Sequence, residues 1–243
     1  MKYIRSVFLH TAPPPSSYLN DLPVVRHLAQ GEELCFDAPV TFLVGENGTG
    51  KSTLIEAIAV AYGFNPEGGS RNFNFSTNES HSILWQCLTL SKTLPAKDGF
   101  FLRAESVYNL ASNIDEIEEV NNYGGVSLHA QSHGESFLSI VQHRFWGEGL
   151  YILDEPEAAL SPQRLMTLLV EIDRLVKNRS QFIIATHSPI LMTYPHADIL
   201  QLSDNGISRV NYTDTEHYKV TKMFLDCPER MLKLLLESEE TLL

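Results

Sequence analysis

A chain of 243 residues, 43% of them hydrophobic and 20% charged, has the apolar material for one large domain or a core with one inserted lobe. No apolar run approaches the ~18 residues that cross a bilayer, which excludes a membrane span, and the start MKYIRSVFLHTAPPP has too short an apolar stretch for a signal peptide. A net charge of -12 opposes non-specific binding to nucleic acid over the whole surface, though not in a local basic groove, and the widely spaced Cys35, Cys87 and Cys227 suit free thiols in a reducing cytoplasm.

Tyr3 to Leu9 is expected as a strand, followed by a proline- and serine-rich loop from Thr11 to Ser17. A second strand, Val40 to Val44, runs directly into the glycine-rich stretch GENGTGKST. Beyond it Ser52 to Tyr62 reads as a helix with Leu54, Ile55, Ile58 and Ala61 on one face, ending near Gly63. From Phe64 to Trp146 the pattern weakens. Phe100 to Ala104 is a strand, Val107 to Ile117 a helix and Asn121 to Gly134 a loop, and residues 64–146 are expected as an inserted lobe within a single domain, 1–243. The second half is plainer. Leu150 to Leu153 and Phe182 to Ala185 are short continuous apolar runs, as in buried parallel strands. Between them Ser161-Pro162 starts a helix that carries Leu165, Leu168, Leu169, Ile172 and Val176 on its apolar face. Ile199 to Leu202 and Ile207 to Val210 flank Asp204-Asn205-Gly206 as a hairpin, and Pro228 to Leu236 is a short amphipathic helix. This alternation predicts an α/β fold with a mostly parallel sheet.

Four segments carry chemistry. Gly45, Glu46, Asn47, Gly48, Thr49, Gly50, Lys51 and Ser52, with Thr53 behind them, satisfy G-x-x-x-x-G-K-S/T between a strand and a helix. There, backbone N–H groups and a helix N-terminus cradle phosphate, Lys51 neutralises the β- and γ-phosphates, and the Ser52 hydroxyl holds Mg²⁺. Asp154 ends a buried strand, where Mg²⁺ needs its second support; Glu155, next in line, can orient and deprotonate an attacking water. His187, in Ala185-Thr186-His187-Ser188 after the next buried strand, is placed to reach the γ-phosphate. Gln131-Ser132-His133-Gly134-Glu135-Ser136 opens a helix whose free N–H groups can take an anion.

In this order the segments resemble the ATP-binding-cassette (ABC) ATPase superfamily over about Val40 to Pro189. GENGTGKST is similar to its Walker A, LYILDEPE to its Walker B, SHGES to its signature and ATHS to its histidine switch. DEPEAALSPQR followed by IIATHSPIL resembles most the stand-alone ATPases near the OLD and RecF-like groups. The resemblance implies a P-loop NTPase fold with antiparallel β elements and a helical lobe that ends in the signature. It implies ATP and Mg²⁺ as ligands, hydrolysis through Glu155, His187 and Lys51, and a head-to-tail dimer in which Ser132 and Gly134 of one copy touch the γ-phosphate held by the other. It further implies ties to DNA metabolism or phage defence through an effector protein or nucleic acid not identified by the sequence. Two departures stand out: His133 replaces the first of two signature glycines, and the segment after the catalytic Glu ends in Ser161 rather than Asp. Glu105, ending FFLRAE, is the candidate for the family's metal-approaching Q-loop glutamine, with Gln86 its rival; Tyr18 or Phe36 is the candidate to stack on adenine. The alternative function is the ATP-binding subunit of a membrane transporter.

Overall fold

The computed structural model describes residues 2–71, 82–116 and 123–237. In chain order the elements are β1 (Ile4–Leu9), α1 (Pro23–Leu28), β2 (Leu34–Cys35), β3 (Val40–Gly45), α2 (Lys51–Tyr62), α3 (Leu84–Cys87), β4 (Leu88–Lys92) and β5 (Asp98–Arg103). They continue with α4 (Val107–Glu116), α5 (His133–Arg144), β6 (Gly149–Asp154), α6 (Pro162–Lys177), β7 (Gln181–Ala185), β8 (Asp198–Ser203), β9 (Gly206–Arg209), α7 (Glu216–Asp226) and α8 (Pro228–Glu237).

The central strands β3, β6 and β7 are buried at every position. The two-residue period of a strand therefore feeds two cores at once. Val40, Phe42 and Val44 of β3, Phe100 and Leu102 of β5, and Tyr151 and Leu153 of β6 join one core, with α4, α5 and α6 over them. Leu43, Phe101, Leu150 and Ile152 join the other, beneath α1 and α2. Each such side chain contributes about 1.5–3 kcal/mol on burial, so the sheet is anchored from both faces. The strand order is β5-β6-β7-β3-β8-β9, parallel throughout except for the β8–β9 hairpin. The carboxyl ends of β3, β6 and β7 thus lie side by side, where open α/β sheets hold their ligands.

A smaller antiparallel sheet, β2-β1-β4, covers α2 on its far side. Gln181 fastens it to the main sheet. The Gln181 Oε1 accepts from the Tyr3 and Ile4 amides at 2.6 and 2.9 Å, and its Nε2 donates to the Ile4 carbonyl at 2.8 Å. All three bonds are buried, so each is made where no water competes.

Most expected elements fall within a residue or two of the observed ones, including the hairpin, the Pro228 helix and the capped start of α6, where Ser161 Oγ accepts from the Arg164 amide. The first turn of α2 begins at Lys51, one residue earlier than expected. Five elements were not anticipated: α1, β2, α3, β4 and α7. Residues 64–146 are shared out through the domain. They supply β4 to the small sheet, β5 to the edge of the main sheet, and α4 and α5 to the helical layer, with the signature segment starting α5. Residues 72–81 and 117–122, which include parts of the expected polar stretch and loop, lie outside the described residues.

Candidate nucleotide site

The phosphate loop leaves β3 at Gly45 and enters α2 at Lys51. Two of its glycines are required by space as well as by dihedral. Gly45 has φ +147° and a Cβ there would lie 2.2 Å from the Leu202 carbonyl oxygen; Gly50 has φ +93° and its Cβ would lie 2.6 Å from Val24 of α1. The loop is therefore clamped between β8 and α1. Thr49 Oγ1 donates to the Glu46 carbonyl at 2.8 Å. The Lys51 ammonium lies buried over the loop, donating to the Gly45 and Glu46 carbonyls at 2.7 and 2.9 Å. Burial pulls its pKa down, against the opposing pull of Glu155, Glu46, Asp154 and Glu157.

Asp154 ends β6 at 5% exposure. Its carboxylate takes the Ser52 hydroxyl as a donor, and its Oδ2 lies 3.3 Å from Arg103 Nε. Its Oδ1 is buried with no hydrogen-bond partner. Burial raises its pKa to about 6; Arg103 works against the rise, and the Glu155 and Glu105 carboxylates add to it. A buried carboxylate oxygen left unpaired beside a hydroxyl, a glycine cradle and a lysine fits a hydrated cation carried by a polyphosphate. Among the described residues no group of three or more His, Cys, Asp or Glu could hold a metal alone, so such a cation would draw its other ligands from phosphate and water.

Glu155 follows in the left-handed region at φ +48°, unusual for a residue with a Cβ. Its amide donates to the Ala185 carbonyl at 3.0 Å, which ties the turn after β6 to the end of β7. Its Oε1 lies 3.6 Å from His187 Nε2. The loop carrying His187 is braced by Glu157, which accepts from the His187 amide and, at 2.8 Å, from Thr186 Oγ1. Burial raises the Glu157 pKa and these donors lower it. On its other side His187 Nδ1 lies 2.7 Å from Nε2 of His217, in the first turn of α7.

The structure thus brings Lys51, Ser52, Asp154, Glu155 and His187 to one edge of the sheet. Three residues of this neighbourhood were not singled out from the sequence. Arg103 also donates to Glu56 of α2 at 2.6 Å, and it is the residue of FFLRAE that contacts Asp154. Glu105 is exposed in the turn beyond β5 and acts on Asp154 through its charge, while Gln86 lies exposed in α3, which packs on α2 and leads into the small sheet. Glu157 had a signal, the second carboxylate of DEPE. His217 had none, since only the docking of α7 brings it here. Phe36 is fully buried in the core and so has no face for a base, whereas Tyr18 is 60% exposed. A cavity of about 380 Å³ adjoins the phosphate loop and is lined among others by Asp21, Arg26, Gln201, Ser203, Glu216 and His217.

At the start of α5 the Ser132 amide and hydroxyl donate to Glu135 Oε2 at 2.9 and 2.6 Å. Arg164 of α6 bridges the pair, 3.2 Å from Ser132 Oγ and 2.9 Å from Glu135 Oε1. Gly134 is buried against Arg164 and the Ala159 carbonyl. His133 is exposed.

Two families match the chain in adjoining stretches: one described as an AAA domain, over residues 25–123, and an AAA-domain family whose description mentions an AbiEii toxin and a type IV TA system, over 118–193. Among curated proteins, the chain is similar to a ribose import ATP-binding protein of Bacillus cereus, 28% identical over 194 residues, 71% of this chain and 38% of the relative. It is likewise similar to a xylose/arabinose import ATP-binding protein of Sulfolobus acidocaldarius, 28% identical over 69% of this chain and 74% of the relative. These matches and relatives support an ABC-type ATPase superfamily for the chain. The chain spans well under half the length of the first of those relatives. Among solved structures it is similar to the SMC head domain from Thermotoga maritima, with a TM-score of 0.46 and 16% identity over 86% of this chain and 99% of that one. It is also similar to cbiO1 from Clostridium perfringens, part of an ABC transporter complex, with a TM-score of 0.49 and 17% identity over 96% and 99%. No helix among the described residues is long and apolar enough to cross a membrane.

Proposed function

We propose that this ABC-type domain binds ATP at the Gly45–Thr53 loop and hydrolyses it, using ATP-dependent head-to-tail dimerisation as a conformational switch. The observation that carries the reading is the convergence of Lys51, Asp154-Glu155 and His187 at the adjacent ends of β3, β6 and β7. The loop amides and Lys51 hold the triphosphate, whose nucleoside end has the cavity beside Arg26 and Gln201 within reach. Ser52 and Asp154 would hold Mg²⁺, with Glu105 a further carboxylate that acts on Asp154 through its charge, and the ion would supply charge neutralisation on the phosphates. Glu155 takes a proton from the attacking water, whose oxygen bonds to the γ-phosphorus as the bond to the β-phosphate oxygen breaks, leaving ADP and phosphate. His187 donates to a γ-phosphate oxygen, where negative charge spreads in the transition state. Ser132 and Gly134 belong to the second copy's site, and their amides complete it when the dimer closes. The chain works on the cytoplasmic side in this reading.

Glu155→Gln tests it. The variant should bind ATP with near-normal affinity, hydrolyse it about 100-fold or more slowly, and accumulate as a dimer in light scattering with Mg²⁺-ATP. Hydrolysis at the wild-type rate would remove Glu155 from the role of base.

A second reading, the ATP-binding subunit of an importer, is favoured by the import roles that the names of the curated relatives carry. It requires a membrane partner, and co-purification of the Glu155→Gln form with a membrane protein would establish it. A link to DNA metabolism or defence draws on the resemblance to OLD and RecF-like ATPases and on the description of the family matching 118–193. ATPase stimulation by DNA at moderate salt would support it, and its absence would count against it.

A further inference from the structure

The contact between His187 and His217 has a direction. A nitrogen pair at 2.7 Å shares one proton, so one ring donates and the other accepts. The opposite face of His187 favours one arrangement: its Nε2 lies 3.6 Å from the Glu155 carboxylate oxygen, beyond hydrogen-bond distance but near enough for that negative charge to prefer a proton on Nε2. With the Nε2 proton directed there, Nδ1 is the acceptor and the shared proton sits on His217 Nε2. The ring centroids are 4.8 Å apart while the two nitrogens are 2.7 Å apart, so the nitrogens face each other along the line between the rings. A second proton would set two N–H groups against each other. The charges around the pair are mixed: Lys51 opposes protonation of both rings, while Glu46 favours it for both, Glu155 for His187 and Glu216 for His217. Glu157 is already engaged by the His187 amide. Burial is the largest influence on either ring, and it keeps both neutral.

We propose that His217 is a positioning residue of the switch histidine: by donating from Nε2 to His187 Nδ1 it holds the neutral His187 ring in the Nε2–H tautomer, aimed at the reacting phosphate. The inference rests on the hydrolytic reading of the site and extends it to α7, an element beyond the last strand that becomes part of the catalytic edge. A neutral histidine whose far nitrogen has lost its fixed donor spends part of its time with the proton on Nδ1. In that form Nε2 repels phosphate oxygen instead of binding it.

Selective ¹⁵N-histidine labelling reads the tautomer directly, with the His187 signals assigned by their loss in His187→Gln. Wild type should show His187 protonated at Nε2 and bare at Nδ1, and His217→Leu should shift it toward the Nδ1–H form. In ATP hydrolysis His217→Leu should lower kcat about 10-fold or more with KM for ATP changed less than about 2-fold. His217→Gln places an amide N–H where the imidazole Nε2 lies and should recover to within about 3-fold of wild type. His217→Asn is too short to do so and should behave like the Leu variant. Should His187 keep its Nε2–H tautomer in His217→Leu, or should Gln and Asn behave alike, the proposal is overturned, and the Gln–Asn comparison holds even if Leu disturbs the packing of α7. If the wild-type chain hydrolyses no ATP, the hydrolytic reading fails while the ¹⁵N spectra still decide the tautomer.

Discussion

At the scale of single residues, the site holds charge that folding alone would not favour. Asp154 is buried, its Oδ1 has no partner, and its pKa stands at about 6 against an ordinary 3.8. Such a displacement is worth about 3 kcal/mol. A carboxyl group with a folded-state pKa above its unfolded value costs nothing below pH ~4, and the cost grows as pH rises toward 6 and is complete beyond it. Asp154→Asn should therefore raise the melting temperature by roughly 6–12 °C at pH 8, with the gain vanishing near pH 4, while hydrolysis is lost. Thermal unfolding across that range checks it, and an equal gain at both pH values would mean that the carboxylate's charge is not the cause. Much of this chemistry was legible in the sequence, because Lys51, Ser52, Asp154-Glu155 and His187 each sit at a strand end or loop whose local pattern is strong. Arg103 and His217 were not. Each acts through a partner thirty or more residues away in the chain, Arg103 on Asp154 and Glu56 and His217 on His187, and local spacing carries no trace of such pairs.

At the scale of elements, the same contrast holds for a packing reason. Leu150 to Leu153 and Phe182 to Ala185 read as strands because both their faces are buried, so the apolar run is unbroken. No residue of α7 is buried, so its apolar residues mark no core face, and α1 has six residues, too few to show a periodicity. The sequence at the start of α5 suggested an anion site, but it gave no sign of how that start is packed. Alanine ordinarily stabilises a helix relative to glycine by about 1 kcal/mol. At Gly134 a Cβ would stand 2.6 Å from Arg164 Nη1 and 2.8 Å from the Ala159 carbonyl oxygen. The arginine can swing away, but only by leaving Ser132 and Glu135; the carbonyl belongs to the backbone before α6 and cannot. Gly134→Ala should therefore cost about 1–3 kcal/mol in urea denaturation and loosen the cap at Ser132. A gain in stability would show that α5 and α6 are less tightly joined than the contacts imply.

At the scale of the whole molecule, the proposed function divides one reaction between two surfaces. The phosphate loop lies at the end of β3, while Ser132 and Gly134 are held in the α5–α6 layer by Glu135 and Arg164. The order of motifs along the chain suggests a composite site, and a single chain does not display the interface that would complete it. Complementation between two inactive chains can. Lys51→Ala leaves a working signature beside a dead phosphate loop, and Ser132→Arg leaves the reverse. In a head-to-tail pair of the two, one site receives both defects and the other receives neither. An equal mixture forms mixed dimers half the time, each with one intact site. It should therefore recover about a quarter of wild-type ATPase activity if the sites act independently, from parents that are each close to inactive. Recovery should rise with protein concentration, because the active species is a dimer. A mixture no more active than its parents at every concentration would place the signature and the phosphate loop in separate functions, and the dimer would lose its catalytic role.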